Sequence, residues 1–159
     1  MERLTRETDA ATGIRKILLA ALAIGIVGTE SELLLLGHFD AVAQLIPLIL
    51  LPLGGAVAVW HAAGPRAVTV RALQIAMTLF LVSGLAGVVL HIRGNVEFEL
   101  ETYPSMQGFE LIEKTLTGAT PVLAPGTMVL LGVIGLTHSH KHPSLYPDAA
   151  ASPHLEGDR

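Results

Sequence analysis

Four apolar blocks, each near the length that crosses a lipid bilayer, dominate the pattern of hydrophobic and polar positions along the chain. They cover residues 17–37, 41–60, 72–92 and 120–138. A helix needs ~20 apolar residues to cross the ~30 Å hydrocarbon core, and in lipid the backbone must satisfy its own hydrogen bonds, which favours helices. The pattern therefore predicts an all-α protein whose residues 14–140 form a bundle of four transmembrane helices.

The distribution of lysine and arginine orients this predicted bundle. If the N-terminus lies inside, eight of the ten basic residues fall on the inner side and two on the outer side. Basic residues are enriched on the cytoplasmic side of membrane proteins, so both termini are predicted to be cytoplasmic. The inner residues are Arg3, Arg6, Arg15, Lys16, Arg66, Arg71, Lys141 and Arg159, and the outer ones are Arg93 and Lys114.

The two ends of the chain lack the periodicity of the apolar blocks. Residues 1–13 are polar, and residues 141–159 are rich in proline, alanine and serine. Such segments cannot bury enough apolar surface to offset the entropy lost on ordering. The sequence therefore predicts disordered cytoplasmic segments at both ends.

The outer loop between the third and fourth spans, residues 93–119, is long for so small a protein. Its first part alternates carboxylate and apolar side chains over residues 96–101, which predicts an extended segment with the carboxylates on one side. Further along, Phe109, Ile112 and Leu116 recur at helical spacing within residues 105–118. This second pattern predicts a short amphipathic helix at the membrane surface.

Composition narrows the classes of function. Hydrophobic residues make up 51% of the chain and charged residues 15%, against roughly a quarter charged in soluble domains. The absence of cysteine excludes disulfides and thiolate chemistry. A net charge of −4 without a basic stripe argues against nucleic acid. Since no catalytic motif is recognisable either, we expect a non-enzymatic protein whose partners are the lipid bilayer, itself or another envelope membrane protein.

Two carboxylates interrupt the first span, and charged groups inside a span mark functional sites by default. Glu30 and Glu32 stand two positions apart, so on a helix they point in nearly opposite directions. Two interpretations fit them. One residue faces the bundle as part of a site, or a tilted helix leaves both residues near the headgroups.

A larger set of polar residues is predicted to gather at the outer membrane face. One hypothesis is a divalent-cation site with His38, His91 and Glu97 as ligands, since carboxylate and imidazole together suit divalent metals. The other is a solvated acidic cap in which Arg93 pairs with a carboxylate and Asp40 caps the second helix. The full set is Glu30, Glu32, His38, Asp40, Gln44, His91, Arg93, Asn95, Glu97 and Glu99.

Histidines at the inner face form a weaker candidate site. His138, His140 and His142 alternate beside Lys141 at the end of the fourth span, and short histidine tracts either bind metal or end a span at the interface. Histidines end all four predicted spans, His38 and His91 at the outer face and His61 and His138 at the inner face. Two haems between facing histidines are therefore a further alternative, although haem ligands belong deeper within apolar walls. We expect no cofactor, with a divalent metal or a b-type haem of an electron carrier as the alternatives.

The stretches "ELLLLGHFDAVAQLIPLILL", "LHIRGNVEFELE" and "LTGATPVLAPGTMVLLGVIGL" resemble a group of small bacterial integral membrane proteins. The resemblance covers most of the chain except its two ends. It implies a four-span protein of the bacterial cytoplasmic membrane and supplies no activity, cofactor or catalytic residue. The expected role is therefore an accessory or scaffold subunit, or a small transporter, with an acidic, histidine-containing periplasmic face.

Overall fold

The computed structural model of the protein describes residues 2–39, 41–118 and 124–146, with the backbone alone for residues 2–8. Every element in this described part of the chain is helical, which confirms the predicted all-α class. A short 3-10 turn, Pro143–Leu145, follows the last α-helix. The α-helices are α1 (Glu2–Leu35), α2 (Val42–Ala63), α3 (Ala67–Thr102), α4 (Gly108–Thr117) and α5 (Gly126–Ser139).

Three of the helices are long and apolar enough to cross a membrane. They are α1 over Asp9–Leu35, α2 and α3, and they cover all but residues 36, 37 and 41 of the first three predicted spans. Helix α5 is apolar but has only 14 residues, which corresponds to a length of about 21 Å. Residues 119–123, where the fourth span was predicted to begin, lie outside the described residues.

Helix α1 begins far earlier than the sequence analysis predicted. It starts at Glu2 and so includes most of residues 1–13, for which disorder was predicted. This segment contains no proline, and its single glycine, Gly13, lies inside the helix. Because it also contains good helix formers such as Ala10 and Ala11, the helix can extend from the apolar block toward the N-terminus.

Helix α3 continues ten residues beyond the predicted end of the third span. Residues 93–102 are helical, so the predictions of a loop from residue 93 and of an extended segment over 96–101 are wrong. The helical spacing pairs Arg93 with Glu97 at 3.7 Å, and places Asn95 and Glu99 together on a buried face. For this segment, the i, i+4 spacing of polar partners was the better guide to its structure than the alternation of carboxylate and apolar residues.

Helix α4 lies within the predicted segment 105–118 and packs against the extension of α3. The side-chain amide of Asn95 donates a hydrogen bond of 2.8 Å to the Thr115 carbonyl. Phe109, Ile112 and Leu116 remain exposed, so the apolar face of α4 points away from the rest of the chain.

Four helices pack in a ring. Helix α1 contacts α2 and α5, and α3 contacts the same two helices. Gly84 and Gly132 bring α3 and α5 into backbone contact, because a Cβ at Gly84 would lie 2.7 Å from the Val129 nitrogen. The side chains that fill the ring include Leu22, Leu51, Leu73, Met77, Phe80 and Leu131.

Candidate metal centre

Three histidines converge at one end of the ring, which we call the histidine end. His61 lies in the last turn of α2, His138 in the last turn of α5, and His142 immediately before the 3-10 turn. Their exposed fractions are 1%, 3% and 8%. Buried polar groups need partners, so the contacts of these three rings decide what the cluster does.

The ring nitrogens of this histidine cluster lie at distances close to those of metal ligands. The Nε2 atoms of His61 and His138 are 3.0 Å apart. One nitrogen from each of the three rings lies within 4.8 Å of the others. Within the part of the chain that the structure describes, these three histidines are the one group of His, Cys, Asp or Glu side chains placed closely enough to hold a metal ion together.

Thr69, in the first turn of α3, holds the His61 ring from behind. Its Oγ1 lies 3.0 Å from His61 Nδ1. The same oxygen accepts a hydrogen bond from the Arg66 amide and lies 3.0 Å from the Arg66 carbonyl oxygen. The hydroxyl can therefore donate to the His61 imidazole or to a backbone carbonyl, that of Arg66 at 3.0 Å or that of Gly64 at 3.5 Å. In each case His61 Nε2 faces His138.

Arg15 of α1 holds the second ring by its backbone. The Nδ1 atom of His138 lies 2.9 Å from the Arg15 carbonyl oxygen. A carbonyl oxygen only accepts hydrogen bonds, so Nδ1 carries a proton. Neutral His138 therefore presents an unprotonated Nε2 to His61.

The Arg15 side chain also caps the end of α5. Its guanidinium donates to the carbonyls of His138, His140 and Lys141, which satisfies groups that a helix end leaves without partners. Lys141 has a φ of 45°, in the left-handed region. This reversal turns His142 back toward the cluster and leaves His140 exposed.

His142 differs from the other two rings. Its Nδ1 accepts a hydrogen bond of 3.2 Å from the Ser144 amide. Burial lowers the pKa of His142, and the positive charge of Arg15 and the neighbouring His138 lower it further. The third ring is therefore neutral near pH 7, as a metal ligand must be.

The hydrogen bonds of His61 and His138 allow two arrangements of the pair. If Thr69 donates to His61 Nδ1, the His61 Nε2 proton lies between the two rings in a hydrogen bond to His138. If Thr69 donates to the Arg66 carbonyl, His61 Nδ1 is protonated and two bare lone pairs face each other at 3.0 Å. A cation between the two Nε2 atoms then removes the repulsion.

The donor set is typical of a transition-metal site. Imidazole suits zinc, copper, iron and nickel. With Zn–N bonds of 2.0–2.1 Å, two ligands of a tetrahedral zinc lie roughly 3.3 Å apart, close to the observed 3.0 Å. Three protein ligands leave a fourth position open, as in zinc sites that exchange ligands.

The geometry fits haem poorly. His61 and His138 contact each other directly, and the His142 ring lies 5.2 Å from His61 and 5.9 Å from His138, centroid to centroid. A macrocycle needs a flat slot between its axial ligands. The contact between the rings leaves no such slot at the histidine end.

The sequence identified part of this cluster. His138 and His142 of the predicted tract belong to it, whereas His140 does not. His61 was considered only as a haem ligand, because its proximity to His138 depends on how α2 and α5 pack. The available signal was the shared position of His61 and His138 at the inner ends of two predicted spans.

Glu30 and Glu32 point in different directions, as their spacing predicted. One carboxylate oxygen of Glu30 is buried and has no hydrogen-bond partner within the described chain. Glu30 lines a groove of about 440 Å³ between α1 and α2, whereas Glu32 is exposed. The structure therefore separates the two residues.

The other predicted site residues that the structure describes lie at the end of the ring opposite the histidine end and divide into two groups. His38 and His91 lie near each other, with ring centroids 6.4 Å apart. On the same face of α3 as His91, the side chains of Asn95 and Glu99 are buried.

The second group lies apart from this face. Arg93 and Glu97 form an ion pair that is about 70% exposed. Gln44 accepts a hydrogen bond of 3.0 Å from the Ala41 amide at the start of α2. Asp40 lies outside the described residues.

Comparison with known proteins adds no assignment. No protein-family model, curated protein or solved structure matches this chain.

Proposed function

We propose that this chain is a small, non-enzymatic, four-span membrane protein that binds one divalent transition-metal ion at its histidine end. The convergence of His61, His138 and His142 carries the proposal. The three rings are buried, two of them are oriented from behind by oxygen atoms, and their inward nitrogens lie within 4.8 Å. Such orientation of the non-coordinating nitrogen is the usual support of metal-binding histidines.

The surface of the long helices supports a membrane location. Many large apolar side chains, such as Ile24, Val59, Ile75 and Val89, are exposed on these helices. So much exposed apolar surface is unfavourable in water and is typical of a surface that contacts lipid or protein. Helix α5 packs between α1 and α3, and its first turn contacts Gly84 and Gly87 of α3. We therefore propose α5 as the inner part of a fourth span.

Charge supports an orientation with the histidine end in the cytoplasm. Arg15, Arg66 and Lys141 lie at that end, as their contacts with the histidine cluster and its supports show. The positive-inside rule then places it on the cytoplasmic side. In the bacterial inner membrane that the sequence resemblance implies, the bound metal would be exchanged with the cytoplasm.

The test is the metal content of the full-length protein, purified in detergent without a histidine tag. We expect about one zinc or similar ion per chain, given three ligands to one site. His61→Ala and His138→Ala should lose the metal. His140→Ala should retain it, because His140 belongs to the same histidine tract but is exposed and lies outside the cluster. A metal-free wild-type protein that does not take up added zinc, or equal metal in all variants, would overturn the proposal.

A further inference from the structure

The hydrogen bond between His142 and Ser144 has a consequence for metal binding. The Ser144 amide donates to Nδ1 of His142, so this nitrogen offers a lone pair, and the proton of the neutral ring lies on Nε2. The opposite holds for His138, whose Nδ1 proton points to the Arg15 carbonyl. The unprotonated Nε2 of His138 therefore faces the cluster, whereas the lone pair of His142 is engaged by the Ser144 amide.

Coordination by His142 breaks this hydrogen bond through either nitrogen. If Nδ1 binds the metal, its lone pair is no longer available to the Ser144 amide. If Nε2 binds the metal, the proton moves to Nδ1, and two donors then face each other. Either route leaves the half-buried Ser144 amide without its acceptor, which is unfavourable for the turn.

This hydrogen bond holds the 3-10 turn Pro143–Leu145 in place. The turn itself is closed by the bonds from the Leu145 amide to the His142 carbonyl, at 2.9 Å, and from the Tyr146 amide to the Pro143 carbonyl, at 3.0 Å. Its one side-chain tie to the α2–α3 connection, among the described residues, is the 3.3 Å bond from Ser144 Oγ to the Pro65 carbonyl. Movement of His142 therefore acts directly on the turn.

The ring positions indicate that His142 is the ring that moves when a metal binds. The His61 and His138 nitrogens already lie 3.0 Å apart, whereas the ring centroid of His142 lies 5.9 Å from that of His138, compared with 5.1 Å between His61 and His138. A tetrahedral metal requires roughly 3.3 Å between all its ligands. His61 and His138 thus form a preformed pair, and the third ligand closes onto it.

We propose that metal binding releases the turn Pro143–Leu145 from the α2–α3 connection, which makes this turn a metal-responsive element at the histidine end. The inference rests on the proposed function, because it requires metal at the histidine cluster. Coordination by His142 and the hydrogen bond from the Ser144 amide to His142 Nδ1 exclude each other. Any partner that contacts the turn would then distinguish the metal-loaded protein from the metal-free one.

Reciprocal coupling gives the first test. If metal binding releases the turn and so breaks the bond from Ser144 Oγ to the Pro65 carbonyl, then removing that bond beforehand must strengthen metal binding. Ser144→Ala removes the bond to Pro65, and the zinc affinity should rise roughly two- to five-fold for one exposed hydrogen bond. The control His140→Ala should leave the affinity unchanged, and a weaker affinity of Ser144→Ala would contradict the coupling.

The second test follows the turn directly. The chain has no cysteine, so Tyr146→Cys, at an exposed position after the turn, accepts a single spin label. Zinc is added to the labelled full-length protein in detergent, and label mobility and bound zinc are measured on the same sample. We expect mobility to increase in proportion to bound zinc.

The outcomes separate the two proposals. Bound zinc with unchanged mobility would overturn the coupling and leave the proposed metal site intact. If no zinc binds, both proposals fail. In a His142→Ala background, zinc held by the remaining pair should leave the label mobility unchanged, and an increase there would also contradict the coupling through His142.

Discussion

The Nε2 atoms of His61 and His138 lie 3.0 Å apart, although the two residues are 77 positions apart in the sequence. Their helices, α2 and α5, each pack against α1 and α3, so the contact crosses the ring. A metal between these nitrogens would join two helices that stand opposite each other. Binding energy at this point would therefore stabilise the packing of the whole histidine end.

Thr69 is expected to support metal binding without touching the metal. Its hydroxyl lies within hydrogen-bond distance of His61 Nδ1 and of the Arg66 carbonyl, and the direction in which it donates sets which nitrogen of His61 carries the proton. Loss of such a supporting group typically costs 10–100-fold in metal affinity. Thr69→Val should weaken zinc affinity by roughly ten-fold or more, measured by competition with a zinc chelator.

Thr69→Ser provides the matched control, because serine keeps the hydroxyl at the same position. Its zinc affinity should remain near that of the wild type. Equal affinities for the valine and serine variants would show that the Thr69 hydroxyl has no part in metal binding.

Arg15 is expected to stabilise the fold through the end of α5. Its guanidinium donates to three carbonyl groups at the end of α5 and just beyond it. Arg15→Met keeps most of the aliphatic stem but removes these donors, and should destabilise the protein by roughly 1–3 kcal/mol. The measurement is the thermal unfolding midpoint in detergent.

Lys16→Met removes one positive charge at the neighbouring, exposed position. This control should change the unfolding midpoint little, because the Lys16 side chain lies on the exposed side of α1. An equal loss in both variants would attribute the effect to net charge and not to the cap of α5.

The sequence predicted the first three helices because each needs only a local signal, a long apolar run. It failed for residues 93–102, where Asn95 pairs with Thr115 twenty positions away and stabilises a helix that local alternation did not indicate. It also failed for the histidine cluster as a whole. His142 reaches the cluster because the left-handed Lys141 turns the chain back after the helix ends, and the spacing of the histidines gives no sign of this turn.

Close packing of α3 and α5 depends on Gly84. A Cβ at this position would lie 2.7 Å from the Val129 nitrogen and 2.9 Å from the Pro125 oxygen, and backbone atoms cannot yield as side chains do. Gly84→Ala should therefore separate the helices and destabilise the protein by roughly 1–3 kcal/mol.

Gly28→Ala is the matched control, since a Cβ at Gly28 has no atom within 4 Å. In a helix interior this change should be neutral or stabilising by up to about 1 kcal/mol. The two variants can be compared by thermal unfolding in one detergent, and a destabilised Gly28→Ala together with an unaffected Gly84→Ala would reject this packing.

Acid should destabilise the metal-free protein through His142. Burial lowers the pKa of His142 in the folded protein, whereas the unfolded chain has an ordinary histidine pKa near 6.5. Between these two values the unfolded chain binds more protons, so the free energy of unfolding falls as the pH falls. The unfolding midpoint should therefore decrease as the pH is lowered from about 7.5 to about 5.5.

His142→Ala should show a smaller decrease over the same pH range, and His140→Ala should follow the wild type. The groups that face His142 are Arg15 and the two other histidines of the cluster, and these are present in both variants. Parallel pH profiles for the wild type and His142→Ala would contradict the assignment to His142.

Binding of one metal ion by three imidazoles at the histidine end can be observed by X-ray absorption spectroscopy of the zinc-loaded, untagged protein. We expect about three imidazole nitrogens at 2.0–2.1 Å from zinc, with that signal lost in His138→Ala and retained in His140→Ala. Zinc coordinated by oxygen alone, or a spectrum unchanged by His138→Ala, would show that the histidine cluster does not bind the metal.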